Sequence, residues 1–200
     1  MAHDGSFYRQ LIAAPWCLWA LYWVLSALRV KATRRRESRA SRLSHVVPLA
    51  IGGVLMAGER LPWGPLGAAL WPASPLTFGL GLALVLSGLG FAVWARLHLG
   101  GNWSGTVTVK EGHELIRSGP YAFVRHPIYT GLLAALLGTA IASGTVHAAL
   151  GFAVMAAALL RKARREEAFM REAFPDEYPR YSDEVPALVP FTRPRRSAPR

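Results

Sequence analysis

The sequence predicts an all-α integral membrane protein with about five transmembrane helices, of which the last two form a short hairpin. Of the 200 residues, 52% are hydrophobic and only 18% are charged, whereas charged residues make up roughly 25% of soluble domains. The charges are also clustered, which leaves long stretches without Asp, Glu, Lys or Arg. This pattern disfavours both a soluble globular protein and a disordered chain.

The first uncharged stretch covers residues 11–28, close to the roughly 20 residues that a membrane-spanning helix needs. A cleaved signal peptide would begin with basic residues, but here the basic residues follow the stretch, at positions 29–42. We therefore expect an uncleaved first span. The second stretch, residues 43–58, contains Pro48 and is short.

The third stretch, residues 76–95, is glycine-rich, and its glycines would allow close contact with another helix. They are Gly79, Gly81, Gly88 and Gly90. A later stretch, residues 128–160, is interrupted by Ser143-Gly144-Thr145. As one helix it would be about 50 Å long, beyond the roughly 30 Å of a bilayer core. We therefore expect a hairpin of two arms. The polar–apolar alternation at residues 106–109 is too short to predict a sheet.

Basic residues predict the orientation in the membrane. The chain has 23 Lys+Arg against 12 Asp+Glu, a formal net charge of +11. On a five-span path, the basic segments at 29–42, 96–125 and 161–165 all fall on one side, which predicts that this side is cytoplasmic. We expect a multi-pass protein of the inner or plasma membrane, surrounded by lipid. A topology signal explains the arginine cluster better than a nucleic-acid contact does, and we expect no nucleic-acid partner.

Charged residues also lie at the two feet of the predicted hairpin. Because the hairpin brings its feet together, Arg125 and His126 should lie near Glu166 and Glu167. Such a cluster at a membrane boundary predicts a functional site, and an interfacial ion-pair network is the simpler alternative.

Helix geometry predicts how these side chains are used. Adjacent helical residues point about 100° apart, so we expect only one of the two glutamates to face the cluster. Glu166 could pair instead with Lys162 on the outer face. Arg125 lies at the start of the next helix, a natural anion site, where its guanidinium could hold a carboxylate bidentately.

Several common enzyme classes lack their signatures in this sequence. There is no Gly-x-Gly-x-x-Gly after a strand, no His-Glu-x-x-His and no Gly-x-Ser-x-Gly, the patterns of dinucleotide sites, zinc hydrolases and serine hydrolases. Cys17 is the only cysteine, which excludes a cysteine-cluster metal site. We expect no metal.

A series of rare residue types at fixed spacing carries a family resemblance. It reads Gly112-His113-x-Leu115, Ser118-Gly119-Pro120-Tyr121-x-x-x-Arg125-His126-Pro127-x-Tyr129-x-Gly131, Glu166-Glu167 and Phe174-x-x-x-Tyr178-x-x-Tyr181-x-x-x-Val185-Pro186. Over about residues 88–191 this resembles the isoprenylcysteine carboxyl methyltransferase family and the wider group that includes phospholipid N-methyltransferases. Sterol reductases share part of the pattern, but their chains are much longer and have more spans.

The resemblance implies methyl transfer from S-adenosylmethionine to a lipophilic or prenylated acceptor that enters from the bilayer. The cofactor pocket would face the cytoplasm and be formed by the loop before the hairpin and the C-terminal segment. The favoured reaction is carboxyl O-methylation of a prenylcysteine-like or isoprenoid acid. The alternatives are N-methylation of a lipid amine, an NADPH oxidoreductase related to the sterol reductases, and a non-enzymatic membrane protein.

The resemblance also implies roles for individual residues. The cofactor-binding set is His113, Leu115, Gly119, Pro120, Tyr121, His126, Pro127, Tyr129, Glu166 and Glu167. Arg125 and Glu167 are the catalytic pair, with Arg125 holding the carboxylate of either the acceptor or the cofactor. We expect one domain over residues 1–191, with N-terminal spans at 1–75 and a catalytic half at 76–191, and a disordered basic tail at 192–200.

Overall fold

The computed structural model describes residues 5–27, 33–36, 39–58, 61–102, 108–110 and 115–192, which are mainly helical. Long helices occupy all five predicted positions. They are α1 (Gly5–Ala27), α2 (Arg39–Ala57), α3 (Pro75–Leu99), α4 (Pro127–Ser143) and α5 (Val146–Ala173). A short helix, α6 (Glu177–Glu184), follows, and short 3₁₀ turns lie at Gly64–Gly67, Gly100–Asn102 and Gly119–Ala122. Apart from Thr192, the predicted tail lies outside the described residues.

Three of the described helices are long and apolar enough to cross a membrane, judged by length and composition. They cover Phe7–Ala27, Pro75–Leu99 and Val146–Ala173. The apolar parts of the other two, Leu43–Ala57 and Pro127–Ser143, are shorter than a full span. The chain is thus an integral membrane protein, whereas the count of five spans stays a prediction, as does the division into domains.

A small two-stranded ribbon departs from the all-α prediction. The strand β1 (Thr33–Arg36) pairs antiparallel with β2 (Thr108–Lys110), with Thr33 opposite Lys110 and Arg36 opposite Thr108. The expectation that the alternating segment forms no sheet is therefore wrong for β2. The arginine-rich segment between α1 and α2 supplies its partner, and local alternation cannot reveal a partner so distant in sequence.

Helices α3 and α4 pack closely through glycines. A Cβ atom on Gly81 would lie 2.5 Å from the carbonyl oxygen of Gly138, and a Cβ atom on Gly88 would lie 2.5 Å from that of Gly131. Because no side chain fits at these crossings, the predicted close contact is confirmed for two of the four glycines. The other two glycines, Gly79 and Gly90, have open space, since a Cβ atom there would meet nothing within 4 Å.

The predicted hairpin is confirmed as α4 and α5. Gly144 ends α4 with a left-handed conformation, φ +64°, which glycine adopts without a steric penalty. The loop before α3 is bound to this turn, since the Leu70 N–H donates to the Gly144 carbonyl at 2.7 Å. The Trp71 indole N–H also donates to the Ile141 carbonyl at 3.1 Å. These bonds fix the tip of the hairpin against the loop.

The basic segments meet at the opposite end of the bundle from the hairpin tip. Arg96, near the end of α3, donates to the Ser26 carbonyl of α1 at 2.7 Å. Arg165 on α5 donates to the Ser44 hydroxyl of α2 at 3.0 Å. This end also carries the start of α4, so the two feet of the hairpin are together. The membrane side that it faces stays a prediction.

Candidate active site

The imidazole of His126, directly before α4, lies between the two glutamates of α5. Its Nδ1 is 3.7 Å from Glu166 Oε2, and its Nε2 is 3.3 Å from Glu167 Oε1. The expectation that only one glutamate faces the cluster is therefore wrong. The flat ring presents one nitrogen at each of two edges, and so bridges side chains that leave the helix in different directions.

The guanidinium of Arg125 is bound on several sides. Its Nε donates to Glu167 Oε1 at 2.9 Å, and its Nη2 donates to the same oxygen. Its Nη1 donates to the carbonyls of Ser182, at 2.9 Å, and Val185, at 2.5 Å. The guanidinium also hydrogen-bonds the phenol of Tyr178. A bidentate grip on another carboxylate would require Arg125 to give up some of these partners.

Glu166 is the more accessible of the two glutamates. Its side chain is 24% exposed, against 13% for Glu167. The Tyr129 hydroxyl donates to Glu166 Oε1 at 2.5 Å, and Lys162 Nζ lies 4.0 Å from the same oxygen. The Tyr129 ring stacks on the His126 ring with centroids 5.6 Å apart. The predicted pairing with Lys162 is therefore present, but Glu166 also faces the cluster.

The charge state of His126 follows from its two carboxylate neighbours. Burial by itself lowers the pKa of the imidazole. The hydrogen bonds and negative charges of Glu166 and Glu167 outweigh burial, so the pKa of His126 lies above its ordinary value of 6.5. The cationic ring can donate from both nitrogens, which matches a carboxylate at each edge.

The segment at 181–188, here called the C-terminal strap, lies along the start of α4. The backbone N–H of Arg125 donates to the Pro186 carbonyl at 2.9 Å, and that of His126 donates to the Ala187 carbonyl at 3.0 Å. Together with the Arg125 side chain, these bonds hold the strap against the residues that carry the charges.

Tyr181 attaches α6 to the turn that contains Tyr121. The Tyr181 hydroxyl donates to the Tyr121 carbonyl at 2.7 Å, and burial raises the pKa of both phenols, so both stay neutral. Tyr178 is buried beside Tyr181, with ring centroids 6.0 Å apart. Tyr178 and Tyr181 were not predicted as site residues, although their regular spacing after Phe174 is a visible signal in the sequence.

The turn at Gly119–Ala122 begins at a position that only glycine can occupy without strain. Gly119 has φ +59°, and a Cβ atom there would lie 2.7 Å from Cε1 of His98. The His98 Nε2 lies 2.9 Å from the Ser118 hydroxyl, which holds the end of α3 against the turn. His98 is a further residue that sequence reasoning missed, because nothing in the local pattern pairs it with Ser118.

The structure thus brings together five of the predicted site residues in one cluster. They are Arg125, His126, Tyr129, Glu166 and Glu167. Pro127 begins α4, the buried Pro120 and Tyr121 lie in the adjacent turn, and Leu115 is half-buried ahead of it. His113 lies outside the described residues. Within the described ranges, no group of three or more His, Cys, Asp or Glu is placed to hold a metal ion.

Comparison with known proteins gives this cluster a context. Residues 81–172, which contain all five of its members, match the isoprenylcysteine carboxyl methyltransferase (ICMT) family. The resemblance seen in the sequence is confirmed. The ICMT match begins inside α3 and ends one residue before the end of α5, so it covers most of α3, all of α4 and nearly all of α5.

Relatives with curated names match about half of the chain. Cobalt-zinc-cadmium resistance protein CzcN of Cupriavidus metallidurans is 34% identical over 58% of this chain and 50% of its own length. Protein-S-isoprenylcysteine O-methyltransferase B of Arabidopsis thaliana is 28% identical over 56% of this chain and 58% of its own. The Schizosaccharomyces pombe protein-S-isoprenylcysteine O-methyltransferase is 33% identical over 48% and 42%. The chain thus spans about half the length of these relatives.

A solved structure of the eukaryotic intramembrane Ras methyltransferase ICMT is also similar. The match covers 76% of this chain and 51% of that chain, at 23% sequence identity and a TM-score of 0.48.

Proposed function

We propose that this chain uses S-adenosylmethionine to methylate the carboxylate of a lipophilic acid held in the membrane. The favoured acceptor is a prenylcysteine-like or isoprenoid acid. The proposal depends on one observation, the convergence of Glu166 and Glu167 on His126 and Arg125 inside the region that matches the ICMT family. The names of the Arabidopsis and fission-yeast relatives support the same reaction class.

The chemistry of the cluster fits this methyl donor. S-adenosylmethionine, when bound, supplies a methyl group on a positively charged sulfur, and it also carries an ammonium group. Carboxylates stabilise such cations, and Glu166 is the more exposed of the two glutamates in the cluster. We assign donor binding to Glu166, to Tyr129, whose hydroxyl orients that carboxylate, and to His126. From the resemblance we add His113, Leu115, Gly119, Pro120, Tyr121 and Pro127.

The two glutamates have different capacities to take up a ligand, and we assign them different roles. Glu167 already accepts from Arg125 and His126, and Arg171 lies 3.4 Å from its second oxygen. Glu166 is more exposed and accepts a hydrogen bond from Tyr129. We therefore assign the direct contact with the donor to Glu166. Glu167 completes the site by orienting Arg125 and His126.

Arg125 is assigned to the acceptor side of the reaction. A guanidinium favours a carboxylate over an ammonium group, and Arg125 would exchange one of its protein partners for an anionic oxygen of the acceptor. This supports O-methylation over methylation of a lipid amine. The apolar tail of the acceptor would remain in the bilayer, so that only its carboxylate enters the site. Alignment and exclusion of water are the main needs of such a transfer.

Three separate assays test the proposal, two with a methyl acceptor and one with a reductase substrate. Purified protein in lipid nanodiscs is given methyl-labelled S-adenosylmethionine with N-acetyl-farnesylcysteine or with phosphatidylethanolamine, and NADPH with a sterol in a third assay. We expect label on the farnesylcysteine, loss of transfer in Glu166→Gln, and no loss in the control Glu172→Gln, which is exposed on the same helix. Label on the lipid amine alone would overturn the carboxylate assignment. NADPH oxidation without methyl transfer would overturn the reaction class.

A further inference from the structure

The chain turns outward directly after the C-terminal strap. Leu188 packs against the core of the bundle, and its carbonyl accepts a hydrogen bond from the Thr130 hydroxyl at 2.7 Å. The next four residues, 189–192, form a turn that we call the anchor turn. The Thr192 hydroxyl closes this turn by donating to the Val189 carbonyl at 2.7 Å. The anchor turn is therefore attached to α4 through the residue that precedes it.

This attachment fixes the level of the anchor turn relative to the bilayer. Thr130 lies in the first turn of α4, about 4.5 Å along the axis from Pro127, where the helix begins. Arg125 precedes the helix, and no Asp, Glu, Lys or Arg follows before Arg161. The boundary between water and hydrocarbon therefore falls near the start of α4, and the anchor turn lies beside that boundary.

The apolar side chains at this level are exposed. The exposed fraction is 61% for Val189 and 92% for Phe191, and Phe123, in the turn before α4, is 47% exposed. A phenyl ring in water is unfavourable, whereas lipid covers the same ring when it lies at the headgroup boundary. Exposed apolar groups at this position therefore fit a lipid surface.

The backbone of the anchor turn is an independent observation. Phe191 has φ +62°, a left-handed conformation that bulky residues rarely adopt. Pro190 precedes it, and a proline followed by a left-handed residue is typical of a type II turn, which favours glycine at that second position. The turn thus holds a large ring outward at a place where glycine would cost less. Such a strained residue indicates a use for its side chain.

Charge in the following sequence matches the surface of the same membrane. After Glu184 the charged residues are all arginines. They are Arg193, Arg195, Arg196 and Arg200, which lie beyond the described residues. Basic residues next to an aromatic residue at the membrane boundary attract anionic headgroups.

We propose that the anchor turn inserts Phe191 into the headgroup boundary of the bilayer in which the chain lies, and that the arginines after it bind anionic headgroups there. The partner is thus an anionic lipid surface. Because the strap is continuous with the anchor turn and is bound to Arg125 and His126, this contact holds the strap against the charged cluster. The contact does not depend on the proposed methyl transfer.

Depth-dependent quenching tests the contact directly. In a Cys17→Ser background, Phe191→Cys is labelled with an NBD fluorophore in nanodiscs of phosphatidylcholine and phosphatidylglycerol that contain doxyl-labelled lipid. Asp176→Cys is the matched control, because Asp176 is exposed and lies beyond the end of α5. We expect blue-shifted emission and strong quenching at position 191, and neither at position 176. Blue-shifted emission without quenching would indicate a second copy or another protein, and would overturn the proposal.

Substitution of Phe191 separates the membrane contact from the shape of the turn. Phe191→Gly fits the left-handed backbone but removes the ring, and Phe191→Trp keeps an aromatic residue suited to the interface. In nanodiscs, hydrogen exchange over residues 181–188 should be about tenfold faster in Phe191→Gly, the change expected for partial transfer of a phenyl ring into water. It should be unchanged in Phe191→Trp.

The arginines are tested by changing the lipid. In the wild type, exchange over residues 181–188 should be slower in the mixed bilayer than in pure phosphatidylcholine, because the anionic headgroups hold the segment after the strap. Replacing Arg193, Arg195 and Arg196 together by Gln should remove this difference.

Two further results would overturn this proposal. One is equal emission and quenching at positions 191 and 176. The other is equal exchange over the strap in Phe191→Gly and wild type. Methyltransferase activity is measured on the same samples, so that a chain that inserts Phe191 but transfers no methyl group would contradict the proposed reaction alone.

Discussion

Arg125 and Glu167, 42 residues apart in the chain, form a hydrogen-bonded ion pair in which both side chains are largely buried. A buried pair is stable only when its remaining donors and acceptors also find partners. Here the Ser182 and Val185 carbonyls and the His126 ring supply them. The pair therefore joins the start of α4, the second half of α5 and the C-terminal strap in one network.

Replacing Arg125 should loosen the strap. Arg125→Lys keeps the charge but loses the planar fork that reaches both carbonyls and Glu167. We expect a loss of roughly 1.5–3 kcal/mol in stability and faster hydrogen exchange over residues 181–188. Arg171→Lys is the control, since Arg171 is exposed and a lysine keeps the charge that contacts Glu167 at 3.4 Å and lies over the Tyr178 ring. Equal exchange in the two variants would contradict this role.

The two glutamates should respond differently to loss of charge. Glu166→Gln should weaken binding of S-adenosylhomocysteine at least about tenfold, because a charge-assisted hydrogen bond contributes roughly 1.5–3 kcal/mol. Glu167→Gln should in addition lower the unfolding temperature, since it leaves Arg125 buried without its counter-charge. Calorimetry and thermal unfolding of both variants separate the two roles. A stable Glu167→Gln protein with unchanged strap exchange would be incompatible with the network described above.

The raised pKa of His126 predicts a pH dependence of stability. A group whose pKa is higher in the folded state stabilises that state below its ordinary value of 6.5, and this contribution is lost as the pH rises through the raised value. We expect the unfolding temperature in detergent to fall over that window. His126→Gln should remove this part of the slope, and His98→Gln, an exposed histidine, serves as the control. An identical slope in wild type and His126→Gln would argue against it.

The glycine crossing of α3 and α4 should tolerate no side chain. A Cβ atom on Gly131 would lie 2.8 Å from the Ala92 nitrogen and closer still to the Gly88 carbonyl oxygen. Because these are backbone atoms, Gly131→Ala should force the helices apart, at roughly 1–3 kcal/mol. Gly90→Ala meets open space and should fold normally. Thermal unfolding of the pair checks this, and equal stability would show that the helices adjust freely.

The five-span path predicts that the two ends of the hairpin lie on opposite sides of the membrane. In a Cys17→Ser background, Ala73→Cys lies in the loop bound to the hairpin tip, and Glu172→Cys lies near the end of α5; both positions are exposed. An impermeant thiol reagent applied to intact cells should label Ala73→Cys and spare Glu172→Cys. Labelling of both positions from one side would exclude the five-span path.

The hairpin and the charged cluster could be predicted because both depend on local signals. The length of the uncharged stretch required a break, and Gly144 supplied a residue that can end a helix. Once the hairpin was expected, Arg125 and Glu167 had to meet at its feet. The bonds from Arg125 to the Ser182 and Val185 carbonyls had no such signal, because any residue carries a backbone carbonyl.

Two other features of the structure depend on tertiary geometry. The pairing of β1 with β2 joins segments on either side of two helices, which periodicity within either segment does not report. The reach of both glutamates to His126 depends on the orientation of a ring that lies on another element. Spacing along α5 gives the angle between Glu166 and Glu167, but not the position of the group between them.

The length of α5 has a consequence for the depth of the two carboxylates. From Val146, where α5 begins, to Leu160, the last residue before a basic cluster, the helix rises about 21 Å, which is less than the roughly 30 Å of a bilayer's hydrocarbon core. The carboxylates lie just beyond this short apolar part. The bilayer must therefore thin around α5, or the basic side chains must extend to the headgroups, to keep the carboxylates out of hydrocarbon. One residue inserted into the apolar part of α5 would turn both of them about 100° away from His126. Membrane thickness thus becomes part of what aligns the site.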